Sequence, residues 1–254
     1  MLVDTHAHLY AEEFSGDRNL VIDRAVQAGV RKIILPNIDK DSVDSLLNLS
    51  DVYPGNCFPL MGLHPTSVKN DFREQISLVE RWLSRRKFFG IGEIGIDLYW
   101  DKSHFREQQD AFRIQLEIAK SMRLPVVIHV RDSFDEVFSI LEQEQNGTLS
   151  GIFHCFSGSS EQARKVTGQG FHLGIGGVVT FRNSNLPEVI KGTDLSHIVL
   201  ETDAPYLAPV PYRGKRNEST YLTLIAEKIA GIYEMSTEEI AATTTQTAEQ
   251  LFDI

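Results

Sequence analysis

The segment MLVDTHAHLY, residues 1–10, is a short apolar run that continues directly into two histidines, His6 and His8. Seven further β-branched or aromatic runs follow it, separated by segments with the apolar period of a helix. This alternation is typical of parallel strands joined by crossover helices. We therefore expect eight strands, at the run ending at Thr5 and at residues 32–35, 59–63, 89–93, 126–129, 152–155, 171–175 and 198–202.

Helical segments fill most of the intervals between the predicted strands. They are expected at residues 19–28, 42–49, 73–84, 105–122 and 134–142, then at about 220–232 and from Thr237 onward. Within 105–122, Phe112, Leu116 and Ala119 form one apolar stripe while charged residues face away. Such a helix covers a sheet on one side only.

Eight strand–helix units in 254 residues match the size of a (β/α)₈ barrel of the TIM type. The chain shows no linker and no change in composition, so we expect an α/β fold with one domain, residues 1–254, and an extra C-terminal helix. A doubly wound open sheet is the alternative. Its support is the glycine-rich sequence GIGGV at 174–178, which lacks the GxGxxG spacing of a dinucleotide site.

The composition is that of an ordinary globular enzyme, with 42% hydrophobic and 24% charged residues. The formal net charge of −10 argues against a protein that coats duplex DNA through many phosphate contacts. The negative net charge is still compatible with a local site that binds anions.

Two cysteines, Cys57 and Cys155, are too few for a disulfide framework, which favours a reducing compartment such as the cytoplasm. We expect Cys155 to be structural and to pack against the helices. The N-terminal residues do not resemble a signal peptide, and no run is long enough for a membrane helix, so no membrane association is expected.

Side chains that bind metals recur where the predicted strands end. His6 and His8 follow strand one, His64 follows strand three, Glu93 ends strand four, His129 ends strand five, His154 lies near the end of strand six, and Asp203 follows strand eight. In a barrel these ends share one rim, so the residues should converge on one pocket. For any single histidine, a core residue bonded to a backbone carbonyl is the plainer interpretation. The joint placement favours a metal site.

This set of residues suits divalent ions. Alternation along a strand lets His6 and His8 point to the same face, and imidazole with carboxylate suits Zn, Mn, Ni or Mg. Two ions would bring four positive charges against the two negative charges of Glu93 and Asp203, leaving a site that attracts phosphate. Two ions can also make hydroxide at neutral pH and stabilise an in-line displacement, so no nucleophilic side chain is needed.

Seven blocks of the sequence resemble one family, the TatD-type metal-dependent deoxyribonucleases. They are DTHAHL at 4–9, GLHP at 62–65, IGEIGID at 91–97, VIHVRD at 127–132, FHCFSG at 153–158, LETDAPYL at 200–207 and RGKRN at 213–217. The family is a branch of the amidohydrolase-like barrels. One departure is Ser219, which stands where the family usually has proline.

The resemblance implies a hydrolase that uses two divalent ions, Mg, Mn or Zn, to trim single-stranded DNA from the 3′ end, with RNA as a further substrate. One ion would be held by His6, His8, Glu93 and Asp203, and the second by Glu93, His129 and His154. Asp203 would be the general base that orients the water. Glu93 would carry the negative charge between the ions.

Contacts to the substrate are expected from the rim. His64 would bond a phosphate or a metal-bound water, or brace a turn. Arg131 with the cluster Arg213, Lys215 and Arg216 would hold phosphates or form a solvated loop. Tyr206 and Phe181 would stack a base or simply pack. Asp97 and Glu201 are expected to orient ligands or pair with nearby basic side chains.

Nucleic acid is the expected partner, and no motif for an obligate protein partner is visible. A rival function is a metal-dependent deacylase or amidase, acting for example on misacylated tRNA, because the same chemistry attacks a carbonyl. A non-catalytic metal-binding scaffold is a third interpretation. The identity of the metal, the natural substrate, the cleavage polarity and the oligomeric state stay open at this point.

Overall fold

Eight parallel strands form the centre of the molecule, and the computed structural model describes residues 1–254. The strands are β1 (Leu2–Asp4), β2 (Val30–Leu35), β3 (Cys57–Pro59), β4 (Ile91–Asp97), β5 (Val126–Arg131), β6 (Gly151–Phe153), β7 (Phe171–Ile175) and β8 (Ile198–Leu200). They pair in chain order as β1–β3 and β4–β8. Parallel bridges from Met61 to Ile91 and from Ala7 to Ala204 join the two groups at both seams. The predicted barrel is confirmed, and the doubly wound alternative is wrong.

Nine α-helices surround the strands: α1 (Arg18–Gln27), α2 (Val43–Val52), α3 (Phe72–Leu83), α4 (Phe105–Met122), α5 (Phe134–Glu144), α6 (Ser160–Gly168), α7 (Leu186–Lys191), α8 (Leu222–Tyr233) and α9 (Thr237–Phe252). Helices α6 and α7 were not among those expected from the sequence. Helix α6 buries only Ala163 and Val166, so its apolar stripe is weak, and α7 is six residues long. No helix in the chain is both long and apolar enough to cross a bilayer.

Buried apolar side chains from most strands, or from the residue that follows a strand, fill the inside of the barrel. They include Val3, Ile34, Leu60 and Val127. Phe252 of α9 packs into the same cluster, so the C-terminal helix closes the end of the barrel that lies away from the strands' carboxyl ends. The opposite rim, where barrels of this kind carry their active sites, is not covered by this helix.

A buried carboxylate joins the first and last strands. Thr202 donates to Asp4 through its backbone N–H at 2.9 Å and its hydroxyl at 2.6 Å, and Thr5 donates to the Leu200 carbonyl at 2.9 Å. Burial raises the pKa of Asp4 to about 7. These bonds fix the positions of the residues that follow each strand, His6 and Asp203, whose backbones are themselves joined at 2.9 Å.

Candidate metal centre

Glu93 lies at the centre of the rim and is almost fully buried. The sequence predicted that its strand ends there, but β4 continues to Asp97, and Glu93 is its third residue. The pairing of β4 with β5 shifts register between Ile91 and Ile94, which encloses Glu93. Asn37 holds the same peptide, since its carbonyl accepts from Glu93 N–H and its N–H donates to the Gly92 carbonyl, both at 3.1 Å.

One carboxylate oxygen of Glu93 faces the histidines that follow β1. Its Oε2 atom lies 3.1 Å from His6 Nε2 and 3.7 Å from His8 Nε2. Asp203 Oδ1 lies 3.8 Å from each of those two nitrogens. His6, His8 and Asp203 therefore place one ligand atom each around a common point, with Glu93 on one side of it.

The other oxygen of Glu93 faces a second group of histidines. Its Oε1 atom lies 2.8 Å from His129 Nδ1, 2.9 Å from His154 Nε2 and 3.3 Å from His64 Nε2. The structure thus brings together all six residues predicted as ligands: Glu93 is at the centre, His6, His8 and Asp203 lie on the side of its Oε2, and His129 and His154 lie on the side of its Oε1. His64 joins the second group and also caps a turn, because its Nδ1 accepts from Thr66 N–H at 3.1 Å.

Hydrogen bonds around the cluster fix which ring nitrogens carry lone pairs. Tyr10 donates its hydroxyl proton to the Pro36 carbonyl at 2.5 Å, so the nitrogen of His8 that contacts this hydroxyl at 2.9 Å, Nδ1, must be the donor. His8 Nε2 then presents a lone pair toward His6 Nε2, 3.1 Å away. Two nitrogens bound tetrahedrally to zinc at about 2.0–2.1 Å would stand about 3.3 Å apart. The donor set therefore fits a cation.

Two more carboxylates lie behind the second group of histidines. Asp97 Oδ2 lies 2.9 Å from His129 Nε2 and leaves Nδ1 of that ring facing Glu93. Glu201 Oε1 lies 3.4 Å from His154 Nδ1 and leaves Nε2 facing Glu93. A carboxylate behind a histidine ligand fixes its tautomer and raises its basicity.

Burial controls the charges of the first group. It lowers the pKa of His8 to about 4 and that of His6 well below its usual value, so both imidazoles are neutral, as ligands must be. Burial also raises the pKa of Asp203 to about 7. For Glu93, burial would raise the pKa, but the neighbouring histidines, His154 foremost, outweigh burial and hold the pKa of Glu93 well below 4.5. A carboxylate therefore stands at the centre.

Two cavities meet at the cluster and share His129, Arg131, His154, Asp203 and Leu207. The first, of about 590 Å³, also contains Trp100, Tyr206, Ile38 and Thr66, and we call it the aromatic cavity. The second, of about 770 Å³, also contains Ser133, Asp135, Ser157, Ser159 and Asn185, and we call it the polar cavity. Together they form a groove that passes over the cluster.

Three of the predicted substrate contacts lie in this groove: Arg131, His64 and Tyr206. Arg213 lies beyond the polar cavity, in an adjoining cavity of about 720 Å³ that shares Ser157 and Asn185 with it. Its guanidinium stacks on Phe181 at 3.6 Å and makes no ion pair within the chain.

Arg216 has other partners, which corrects the expectation that it faces the substrate. Its guanidinium forms two bonds to the Asp17 carboxylate at 2.8 and 2.7 Å and a third to Glu218 at 3.0 Å. It also lies 4.6 Å from the ring centre of Phe14. Lys215 lines none of the described cavities, and its ammonium lies 5.6 Å from the Tyr212 ring.

Cys155 lines the polar cavity, contrary to the expectation that it packs against the helices. Its φ of 47° is left-handed, so the alternation of side chains along β6 does not extend to it. Its N–H donates to Glu201, the carboxylate behind His154. Neither cysteine forms a disulfide; Cys57 is buried, and burial raises its pKa to about 12.

Trp100, Tyr10 and Asn37 belong to the site although no role for them was expected from the sequence. The signal for Trp100 was available, because the residue follows IGEIGID at the end of a barrel strand, where rim residues lie. Tyr10 and Asn37 act through hydrogen bonds to Pro36 and to the Gly92–Glu93 peptide, and such contacts leave no pattern in the sequence.

The chain is similar to known proteins in sequence and in structure. Residues 3–253 match the family model described as TatD related DNase. The chain is 40% identical over 255 residues to the uncharacterized metal-dependent hydrolase YabD of Bacillus subtilis, with 100% of both chains covered. It is 30% identical to the 3′-5′ ssDNA/RNA exonuclease TatD of Salmonella typhimurium, covering 100% of this chain and 99% of that protein. The crystal structure of the TatD homologue YjjV from Escherichia coli superposes with a TM-score of 0.94 at 31% identity, covering 100% and 98%.

Proposed function

Because the chain belongs to the TatD family of metal-dependent hydrolases, we propose that it is a nuclease that removes nucleotides from the 3′ end of single-stranded DNA and also accepts RNA. The main observation behind the proposal is that the two carboxylate oxygens of Glu93 face two different groups of histidine nitrogens. The exonuclease activity named for the Salmonella relative supports the choice of substrate and of polarity.

The residues provide for two divalent ions, which we take to be Mg, Mn or Zn. His6, His8, Glu93 and Asp203 would hold one, and Glu93, His129 and His154 would hold the other. Such a pair supplies Lewis acidity to a phosphodiester and stabilises both the attacking and the leaving oxygen. Glu93 would supply one negative charge between the sites of the two ions.

Asp203 is the proposed general base. It lies between the two cavities, follows β8 on the rim, and its Oδ1 atom stands 3.8 Å from both His6 and His8. Burial raises the pKa of Asp203 to about 7 in the metal-free protein, and bound cations would lower this pKa and keep the side chain a carboxylate that can accept a proton. In this role it orients the attacking water and receives its proton.

The groove suggests the path of the substrate strand. Arg131 stands where the two cavities meet, and Arg213 stands beyond the polar cavity. The segment that follows β5 contributes three carboxylates to the lining of the polar cavity, Asp132, Asp135 and Glu136, which repel phosphates. We therefore place the strand along the segments that follow β6 and β7, past Ser157 and Asn185 toward Arg213.

The test is hydrolysis of single-stranded DNA labelled at the 5′ or the 3′ end, by protein stripped of metal and refilled with Mg, Mn or Zn. We expect 5′-labelled DNA to give a ladder that shortens from its 3′ end, only with metal, and no ladder from Asp203→Asn. Retained folding of that variant is checked by circular dichroism. Absence of cleavage with any metal, despite two bound ions per chain, would overturn the proposal and direct attention to acyl esters of RNA.

A further inference from the structure

An exposed tryptophan lines the aromatic cavity beside the candidate ligands. Trp100 is 68% exposed, and the neighbouring Tyr99 is 54% exposed. Large aromatic side chains are usually buried, so a pair of them on the surface next to an active site points to a binding function. The reaction proposed above assigns no role to either ring.

The loop that carries Trp100 is tied to the metal centre through one carboxylate. Asp97 Oδ1 accepts from the N–H groups of Tyr99 at 2.9 Å and Trp100 at 3.1 Å. Its Oδ2 atom lies 2.9 Å from Nε2 of His129. Asp97 therefore links the Trp100 backbone directly to a candidate ligand.

A cation accompanies the aromatic pair. The guanidinium of Arg131 lies 4.1 Å from the ring centre of Tyr99 and 5.3 Å from that of Trp100. Arg131 is exposed and lines both cavities, so it can contact a phosphate while the rings beside it contact a base. Tyr206, which is 49% exposed, belongs to the same cavity and supplies a second aromatic surface.

We propose that the aromatic cavity binds the 3′-terminal nucleoside of the substrate, with its base stacked on Trp100 and its phosphate contacted by Arg131. This inference rests on the proposed nuclease function and specifies its terminal subsite. Every base has a stacking face, so the subsite distinguishes the presence of a base from its absence, with no preference for sequence. A stacked base changes affinity by about tenfold to a hundredfold.

The kinetic test compares two single-stranded oligonucleotides that differ only in their 3′-terminal residue, a nucleotide in one and an abasic tetrahydrofuran residue in the other. We expect the protein to prefer the first by at least about tenfold in kcat/KM. Trp100→Ala should remove most of this preference by slowing only the first substrate, and Trp100→Phe should retain it. Equal losses on both substrates, or no change on either, would overturn the inference.

A binding test gives a readout independent of turnover. The chain has two tryptophans, so Trp82→Phe leaves Trp100 as the sole fluorophore. In that background, metal-loaded Asp203→Asn protein should lose fluorescence when the normal oligonucleotide binds and lose much less with the abasic one. Equal quenching by the two would contradict stacking.

The two proposals fail separately. If the unaltered protein cleaves no oligonucleotide with any metal, the nuclease function falls. If it cleaves both oligonucleotides at equal rates, the nuclease function stands and the stacking subsite alone is wrong.

Discussion

Nε2 of His129 donates to Oδ2 of Asp97 at 2.9 Å, and this bond leaves Nδ1 of the same ring 2.8 Å from Glu93. The side chain of Asp97 is fully buried and its other oxygen is occupied by two backbone N–H groups. Asp97 therefore fixes the tautomer of His129 and the way the ring faces, without itself reaching the centre.

The first prediction concerns Asp97→Asn. The amide can present a donor to His129 Nε2, which favours the tautomer with its lone pair on the wrong nitrogen. We expect about 10–100-fold weaker metal binding, with activity recovered at high metal concentration. Titration against a competing metal indicator measures the metal affinity. Asp101→Asn, on the same loop but paired with Lys69, is the matched control and should bind metal normally.

The second prediction separates the two groups of ligands through two glutamates. Glu93→Gln removes the shared charge and one oxygen donor, so both ions should be lost and activity should fall more than about 100-fold. Glu201→Gln affects only the carboxylate behind His154 and should weaken only one ion. The number of metal ions per chain after dialysis, measured by elemental analysis, tests both expectations. Loss of a single ion from Glu93→Gln would contradict a bridging role.

The barrel and the convergence of ligands could be predicted because both depend on local pattern. Apolar runs at regular spacing define the strands, and His6, His129 and Asp203 stand at or near their carboxyl ends, which share one rim in any such barrel. No long-range contact has to be known for that argument. The same rule would have placed Trp100 at the site.

Other features depend on contacts that sequence patterns do not record. In the sequence, Arg216 belongs to a basic cluster. In the structure its guanidinium is paired with Asp17, 199 positions away, and this ion pair directs its charge away from the groove. Cys155 follows a strand in which neighbours alternate, but its left-handed backbone ends the alternation. Helix α6 is specified more by its capping box than by an apolar stripe, so a search by period misses it.

A third prediction follows from the free guanidinium of Arg213. If the strand passes this residue, Arg213→Gln should lower kcat/KM for a long oligonucleotide about tenfold. Its effect on a dinucleotide should be small, because a dinucleotide does not reach the adjoining cavity. The slope of log kcat/KM against log salt should also decrease by about 0.7, the value for one phosphate contact on a single strand. An equal loss on both substrates would contradict the proposed path.

A fourth prediction uses Arg216, three residues along the same loop. Arg216→Gln should change kcat/KM less than twofold but lower the free energy of unfolding by about 0.5–1 kcal/mol, since the pair it breaks is partly exposed. Urea unfolding measures this at neutral pH. A large effect on turnover with unchanged stability would instead show that Arg216 contacts the substrate.

The same pair has a defined pH dependence. The hydrogen bond from Arg216 holds the pKa of Asp17 below its usual 3.8. A lowered pKa in the folded protein gives stability that is present above 3.8 and is lost as the pH falls through the folded value. The difference in unfolding free energy between the unaltered protein and Arg216→Gln should therefore be constant near neutrality and shrink below pH 3.8.

The last prediction concerns Gly174 of β7, which packs against the carboxylate behind His154. A Cβ at this position would lie 2.2 Å from Oε2 of the fully buried Glu201 and 3.1 Å from the backbone Cα of His154, so the Glu201 carboxylate would have to move. We expect Gly174→Ala to cost about 1–3 kcal/mol of stability and to weaken metal binding by displacing Glu201 from His154. Gly231→Ala is the control, because this glycine lies within α8 with nothing near its Cβ position. There the substitution should stabilise the protein by about 0.5–1 kcal/mol and leave metal binding unchanged. Thermal unfolding and metal titration of both variants test the pair, and normal metal affinity in Gly174→Ala would show that Glu201 does not hold His154 in place.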